Sequence, residues 1–138
     1  MQEIKEIQQE IIEDFELFDD WTDKYEYLIE LGKDLPPISE KYKIDANLIK
    51  GCQSRVWLHA EKKNEKIFFY ADSDAIMTRG IVALLIKVFS AKRAKEIATA
   101  DLGFINKIGL TQQLSATRAN GLASMLRQIK LSALALTK

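Results

Sequence analysis

The chain has 138 residues, 20 basic against 20 acidic side chains, and 47% apolar residues. That length suits one domain able to bury roughly two-thirds of the surface of its unfolded form, so folding requires neither a disulfide nor a metal. The balanced charge argues against a nucleic-acid binder, which carries a basic excess. It also gives no polybasic signal for an anionic membrane.

The opening stretch MQEIKEIQQEII is charged throughout and has no apolar core, so a secretory signal is not expected. Within it Ile4, Ile7, Ile11, Phe15 and Phe18 step by three or four, one face of an amphipathic helix. Asp19-Asp20 offers the cap of a second helix, Trp21 to about Lys33, with Trp21, Tyr25, Leu28 and Leu31 on its apolar face. Gly32 and the pair Pro36-Pro37 are expected to end it. Residues 38–51 read as a turn or short helical piece leading into a loop. From Arg55 the period changes to two, and KKNEK separates the alternation from IFFYA, which predicts an antiparallel hairpin at 54–62 and 65–71.

DSD at 72–74 is expected to cap a helix from about Ala75 to Ser90 that is apolar nearly all round and therefore central. Its longest apolar run, seven residues from Gly80 to Ile86, falls far short of the ~20 that span a bilayer. A shorter helix is expected around Lys92–Thr99, another over Leu102–Ile108 with Asp101 as cap, and a last long one after Ser115. In that last helix Leu122, Leu126, Ile129, Ala133 and Leu136 form the stripe. Helices, then a small sheet, then helices make an α+β domain spanning 1–138.

The one cysteine, Cys52, stands in NLIKGCQSRVW. One cysteine excludes an internal disulfide and a cysteine-rich zinc site within a chain, and a free thiol fits a reducing compartment, so the cytoplasm is the expected location. Gly51 permits a sharp turn that presents the thiol. Gln53 and Ser54 are polar neighbours that would leave it accessible, and Lys50 and Arg55 place positive charge nearby, which favours thiolate. Two readings stand: a buried loop cysteine filling a gap, or a reactive thiol. A reactive lone thiol has no resolving cysteine for disulfide chemistry and too few partners for an iron–sulfur cluster. It could act as a hydrolase or transferase nucleophile with the one histidine, His59, as base, although His59 otherwise reads as a plain strand residue. It could also carry sulfur as a persulfide by thiol–disulfide-type exchange, where a second cysteine would expel the sulfur.

GCQSRVW resembles the core signature of the SufE family, the sulfur acceptors of iron–sulfur cluster assembly. YEYLIELGKDLPPI (25–38), ADSDAIMTRGIVALLI (71–86) and LGFINKIGLTQQLSATRANGLASMLRQIK (102–130) are similar to further family segments, so the resemblance covers about residues 20–131 in register. One departure is Ser115-Ala116-Thr117-Arg118, where the family often has Thr-Pro-Ser-Arg; the cap and the arginine remain. The resemblance implies a fold like that of iron–sulfur scaffold proteins, a small antiparallel sheet packed against helices. It implies an accessory sulfur-transfer protein rather than a stand-alone enzyme. Cys52 would accept sulfur from the cysteine of a pyridoxal-phosphate cysteine desulfurase, stimulate that enzyme and pass the sulfur to an iron–sulfur scaffold. No cofactor of its own is implied, since pyridoxal phosphate belongs to the desulfurase. Asp74 and Arg118 come forward as loop-shaping or desulfurase-facing residues. Helix capping alone would account for Asp74, whereas a cation in the first turn of a helix, as at Arg118, is unfavourable and suggests another task.

Overall fold

The structure, a computed structural model, describes residues 3–52 and 54–137; Gln53 lies outside them. Helix α1 spans Ile4–Glu16, and the expected stripe of Ile4, Ile7, Ile11 and Phe15 is buried. Helix α2 spans Trp21–Lys33, and the Asp20 carboxylate caps it by accepting from Asp23 N at 3.0 Å. The two helices are joined by Phe15 meeting Tyr27 edge-on, with ring centroids 5.4 Å apart, and by the Tyr27 hydroxyl, which donates to Asp14 at 2.8 Å.

Gly32 does not end α2, contrary to the sequence reading. It lies inside the helix, buried where α2 crosses α3, the helix of residues Ile76–Phe89. A Cβ on Gly32 would stand 2.9 Å from Gly80 N, and a Cβ on Gly80 would stand 2.3 Å from Leu28 O. These two glycines let the backbones of α2 and α3 touch; the helix ends instead at Asp34, just ahead of the prolines.

After two short 3₁₀ turns, Glu40–Tyr42 and Asp45–Asn47, the hairpin forms. Strand β1, Val56–Lys63, pairs antiparallel with β2, Lys66–Ser73, in a register running from Val56↔Ser73 to Lys63↔Lys66. The strands begin later than expected because Ser54 and Arg55 belong to the loop and Glu65 to the turn. Asn64 and Glu65 have φ of 51° and 68°, the pair of left-handed residues that a two-residue hairpin with native twist requires. Val56, Leu58, Ile67, Phe69 and Ala71 face the core.

Helix α3 is central: Leu84, Leu85, Val88 and Phe89 are essentially without exposure, and α1, α2, β2 and the last helix, α7 (Ala116–Ala135), pack around it. The expected carboxylate cap is not made. Ala75 occupies the cap position, and Ala75 N is satisfied by Ser73 Oγ at 3.3 Å. Asp72 is buried instead and pairs with Lys43 Nζ at 3.2 Å and an Arg79 guanidinium nitrogen at 3.5 Å. Hydrogen bonding to Asp72 holds the Lys43 ammonium above the ordinary lysine range. A buried carboxylate is retained only with such partners, and these two come from segments that sequence spacing does not connect.

The chain continues through α4 (Ala94–Thr99), α5 (Gly103–Lys107), a short α6 (Leu110–Gln113) and α7 (Ala116–Ala135). Lys92 precedes α4 rather than opening it, and its carbonyl accepts from Ile67 N at 2.7 Å. Leu102, not Asp101, holds the cap position of α5; Asp101, one residue earlier, accepts from Gly103 N at 2.8 Å. Ser115 caps α7 by accepting from Arg118 N at 3.2 Å, so the missing proline leaves the helix entry intact. Leu122, Met125, Ile129 and Ala133 bury the face of α7. Lys130 Nζ donates to the carbonyls of Ala98 and Ala100, both at 3.0 Å, and so fastens α7 to the end of α4. No helix among the described residues is long and apolar enough to cross a membrane.

Candidate functional site

The cysteine loop is a β-like excursion closed at its base. Ile49 N donates to Val56 O at 2.9 Å, and Leu48 bridges Trp57. On the far side the loop is clamped at Arg55: Asp74 Oδ1 accepts from Arg55 N at 3.0 Å, while Arg55 O accepts from Asp74 N at 3.3 Å and from Ser73 Oγ at 2.8 Å. Asp74 is exposed, and its carboxylate is engaged by the loop, not by the start of α3. Between these anchors the chain turns at Gly51, whose φ is +90° and whose Cβ, if present, would stand 2.7 Å from Ser124 Oγ. Backbone angle and space both call for glycine there.

The turn sends Cys52 inward, not to an open tip. It is half-buried, and its thiol donates to Gly121 O of α7 at 3.7 Å. A Cβ on Gly121 would lie 3.4 Å from Cys52 Sγ, in van der Waals contact. Beside the sulfur is a cavity of about 300 Å³, lined by Ser54 from the loop, Thr78 and Ile81 from α3, and Arg118 and Met125 from α7. Burial pushes the Cys52 thiol up, so the resting sulfur is a neutral thiol over a wider pH range than a thiol in water. The sequence reading had Lys50 and Arg55 favouring thiolate; that is corrected here. Both residues are exposed, where water and salt screen them, while desolvation acts on the sulfur directly.

The remaining site residues fall as follows. Ser54 is half-buried and lines the cavity; Gln53 lies outside the described residues. Arg118 is exposed at the cavity wall. Among the described residues its side chain makes no hydrogen bond or ion pair. His59 does not line the Cys52 cavity. Its Nε2 sits 3.0 Å from Glu61 Oε1, and its ring stacks on Tyr42 with centroids 3.8 Å apart. Nothing in this geometry assembles a cysteine–histidine pair.

Sequence reading missed Thr78, Gly121 and Met125. Gly121 alone left a signal, a glycine inside an otherwise good helix, where it costs ~1 kcal/mol relative to alanine. Among the described residues no three His, Cys, Asp or Glu side chains are gathered as a metal site requires.

The SufE family, described as an Fe-S metabolism associated domain, matches residues 9–133. An uncharacterized SufE-like protein of Rhizobium meliloti is 47% identical over 126 residues, covering 88% of this chain and 90% of the relative. The cysteine desulfuration protein SufE of Wigglesworthia glossinidia brevipalpis is 38% identical, covering 88% and 86%. The sulfur acceptor protein CsdE of Escherichia coli is 40% identical over 107 residues, covering 76% and 73%. In fold, the chain is similar to a hypothetical protein from Thermus thermophilus solved in solution, with a TM-score of 0.79 at 19% identity and 96% and 97% coverage. With a family match across most of its length and relatives this similar, the chain belongs to the SufE family.

Proposed function

We propose that this chain is a sulfur acceptor of iron–sulfur metabolism, an accessory protein rather than a stand-alone enzyme, and that Cys52 is the accepting atom's residue. The observation that carries the reading is the placement of the chain's one cysteine. It lies on a two-ended, clamped loop, its sulfur turned into a cavity with room for more than a thiol. The relatives named for sulfur acceptance and cysteine desulfuration support it.

The step is an exchange. The Cys52 thiolate attacks the terminal sulfur of a persulfide on the desulfurase cysteine. The new S–S bond forms at Cys52 as the old one breaks, and its electron pair leaves with the donor cysteine, restored as thiolate. The Cys52 proton passes to solvent or to that leaving thiolate, and no external oxidant or reductant is consumed. Reaching the donor requires the loop to leave its niche, because the resting sulfur is half-buried and neutral. Outside the niche the cost of burial disappears and the thiolate fraction rises. The clamp at Arg55 and Asp74 is the hinge end of that movement, and Gly51 the flexible end.

In this reading the exposed Asp74 faces the desulfurase and tunes docking, and Arg118 serves the loop once the partner is seated. The partner is a pyridoxal-phosphate cysteine desulfurase, which holds the cofactor, and the recipient is an iron–sulfur scaffold. The whole chain acts as one SufE-like domain in the cytoplasm. The test is desulfurase turnover titrated with Cys52→Ser. We expect an unfolding free energy within about 1 kcal/mol of the parent and no stimulation of the desulfurase without added reductant. Full stimulation by the serine variant would overturn the proposal.

A further inference from the structure

A second concavity, about 650 Å³, lies on the other side of the loop backbone, between β1 and the C-terminal half of α7. Three properties set it apart. Its floor is apolar, made by the buried Ile49 and Leu58, and the 51% exposed Leu131 lies on its α7 wall. Its full ionic charges are all positive: Lys50 and Arg127 line it, and no Asp or Glu does, in a chain whose acids and bases balance. Neither cation is engaged in an ion pair among the described residues. The third property is backbone. Val56 O accepts from Ile49 N on the outer side of β1. By the alternation of an antiparallel strand, Leu58 and Ala60 then also direct N–H and C=O outward, away from β2. The Leu48–Trp57 bridge sets Asn47 opposite Leu58 and covers the Leu58 N–H; beyond it, the outward groups of Ala60 have no hydrogen-bond partner among the described residues, and Leu58, His59 and Ala60 line the concavity.

We propose that this edge is a docking site for an extended, acidic segment of the cysteine desulfurase, which adds as a strand beside β1. An open strand edge is a ready template for one more strand. The apolar floor takes side chains from one face of the incoming segment, and Lys50 and Arg127 select carboxylates on it. An extended segment is favoured over a small anion because the open backbone groups are spaced along a strand.

This inference rests on the sulfur-acceptor reading and adds to it a coupling. The added strand continues along the edge that Leu48 and Ile49 begin to pair and abuts Asn47 there, while Lys50, two residues before Cys52, lines the same concavity. Docking therefore reaches the entry of the cysteine loop through Lys50, from the side opposite the sulfur niche. The occupant is assigned to the donor rather than the recipient because the sulfur-free thiol is the form held in the niche, and the donor is the partner of that form.

The test is hydrogen exchange of the full chain, alone and with a cysteine desulfurase whose turnover it raises, together with turnover titrations of Arg127→Glu and Ala60→Pro. Proline at Ala60 deletes an outward N–H, a change an edge position tolerates, and thermal melting reports whether each variant folds. We expect the Ala60 amide to exchange freely alone and to become protected by the desulfurase. We expect Arg127→Glu to raise the half-saturation point about tenfold at an unchanged plateau, with Cys52 still taking sulfur at saturation. Unchanged exchange at Ala60, or an unchanged half-saturation point for a folded Arg127→Glu, while the parent chain still loads sulfur, would overturn the docking site and leave the acceptor reading standing. No sulfur on the parent chain would overturn both.

Discussion

At the scale of single residues, Cys52 is held by two glycines for different reasons. Gly51 supplies a backbone angle, and Gly121 supplies the carbonyl that accepts from the thiol. The first was legible in the sequence, because a glycine next to the cysteine acts through local geometry. The second was not, because the contact spans 69 positions and no local spacing encodes it. The same distance hid the sign of the electrostatics. Neighbours in sequence suggested a lowered thiol pKa, whereas the fold buries the sulfur and raises it. Alkylation of Cys52 in the free protein should therefore follow a titration whose midpoint lies above that of a thiol in a short peptide, and at neutral pH it should be slower than in that peptide. A midpoint at or below the peptide's would remove the niche from the account. Arg118, at the cavity wall and without an ion pair among the described residues, should matter only with the partner present. Arg118→Ala should leave stability unchanged and lower desulfurase stimulation by about tenfold, the loss of one charge-assisted contact. Stimulation equal to the parent's would show that the guanidinium has no task there.

At the scale of elements, periodicity was the reliable signal. The stripes of α1 and α7, the apolar surround of α3 and the alternation of β1 and β2 all report burial, and burial is what the fold delivers. Punctuation was legible where it acts locally, as at Asp20 and Ser115, both of which cap as expected. It misled where a residue serves a distant contact. Gly32 read as a helix end, yet it is a contact point for Gly80; Asp72 read as a cap, yet it is the carboxylate of a buried ion cluster. Gly80→Ala tests the α2–α3 crossing. Its Cβ would meet the Leu28 carbonyl at 2.3 Å, so the helices must part. We expect a loss of about 2–3 kcal/mol, typical of overpacking, against a gain in helix propensity of ~1 kcal/mol. The denaturant midpoint measures it, and an unchanged midpoint would mean that the helices separate at no cost.

At the scale of the whole molecule, α3 stands at the centre and carries the loop's surroundings on its flanks. β1 and β2 hold both ends of the cysteine loop, α3 supplies Thr78 and Ile81 to the cavity, and α7 supplies the wall that receives the sulfur. Helices first, a hairpin next and helices again was enough to assign the α+β class. Which faces of α3 and α7 converge on Cys52 is a tertiary fact with no trace in the order of elements. The central claim is that this arrangement serves one atom, the sulfur of Cys52, as a place to hold transferred sulfur. Mass spectrometry of the intact chain, after mixing with a cysteine desulfurase and cysteine and without reductant, tests that claim most directly. The account predicts the added mass of one sulfur atom, mapped to the peptide that contains Cys52 and absent from Cys52→Ser. A parent chain that leaves an active desulfurase with no added sulfur would contradict it.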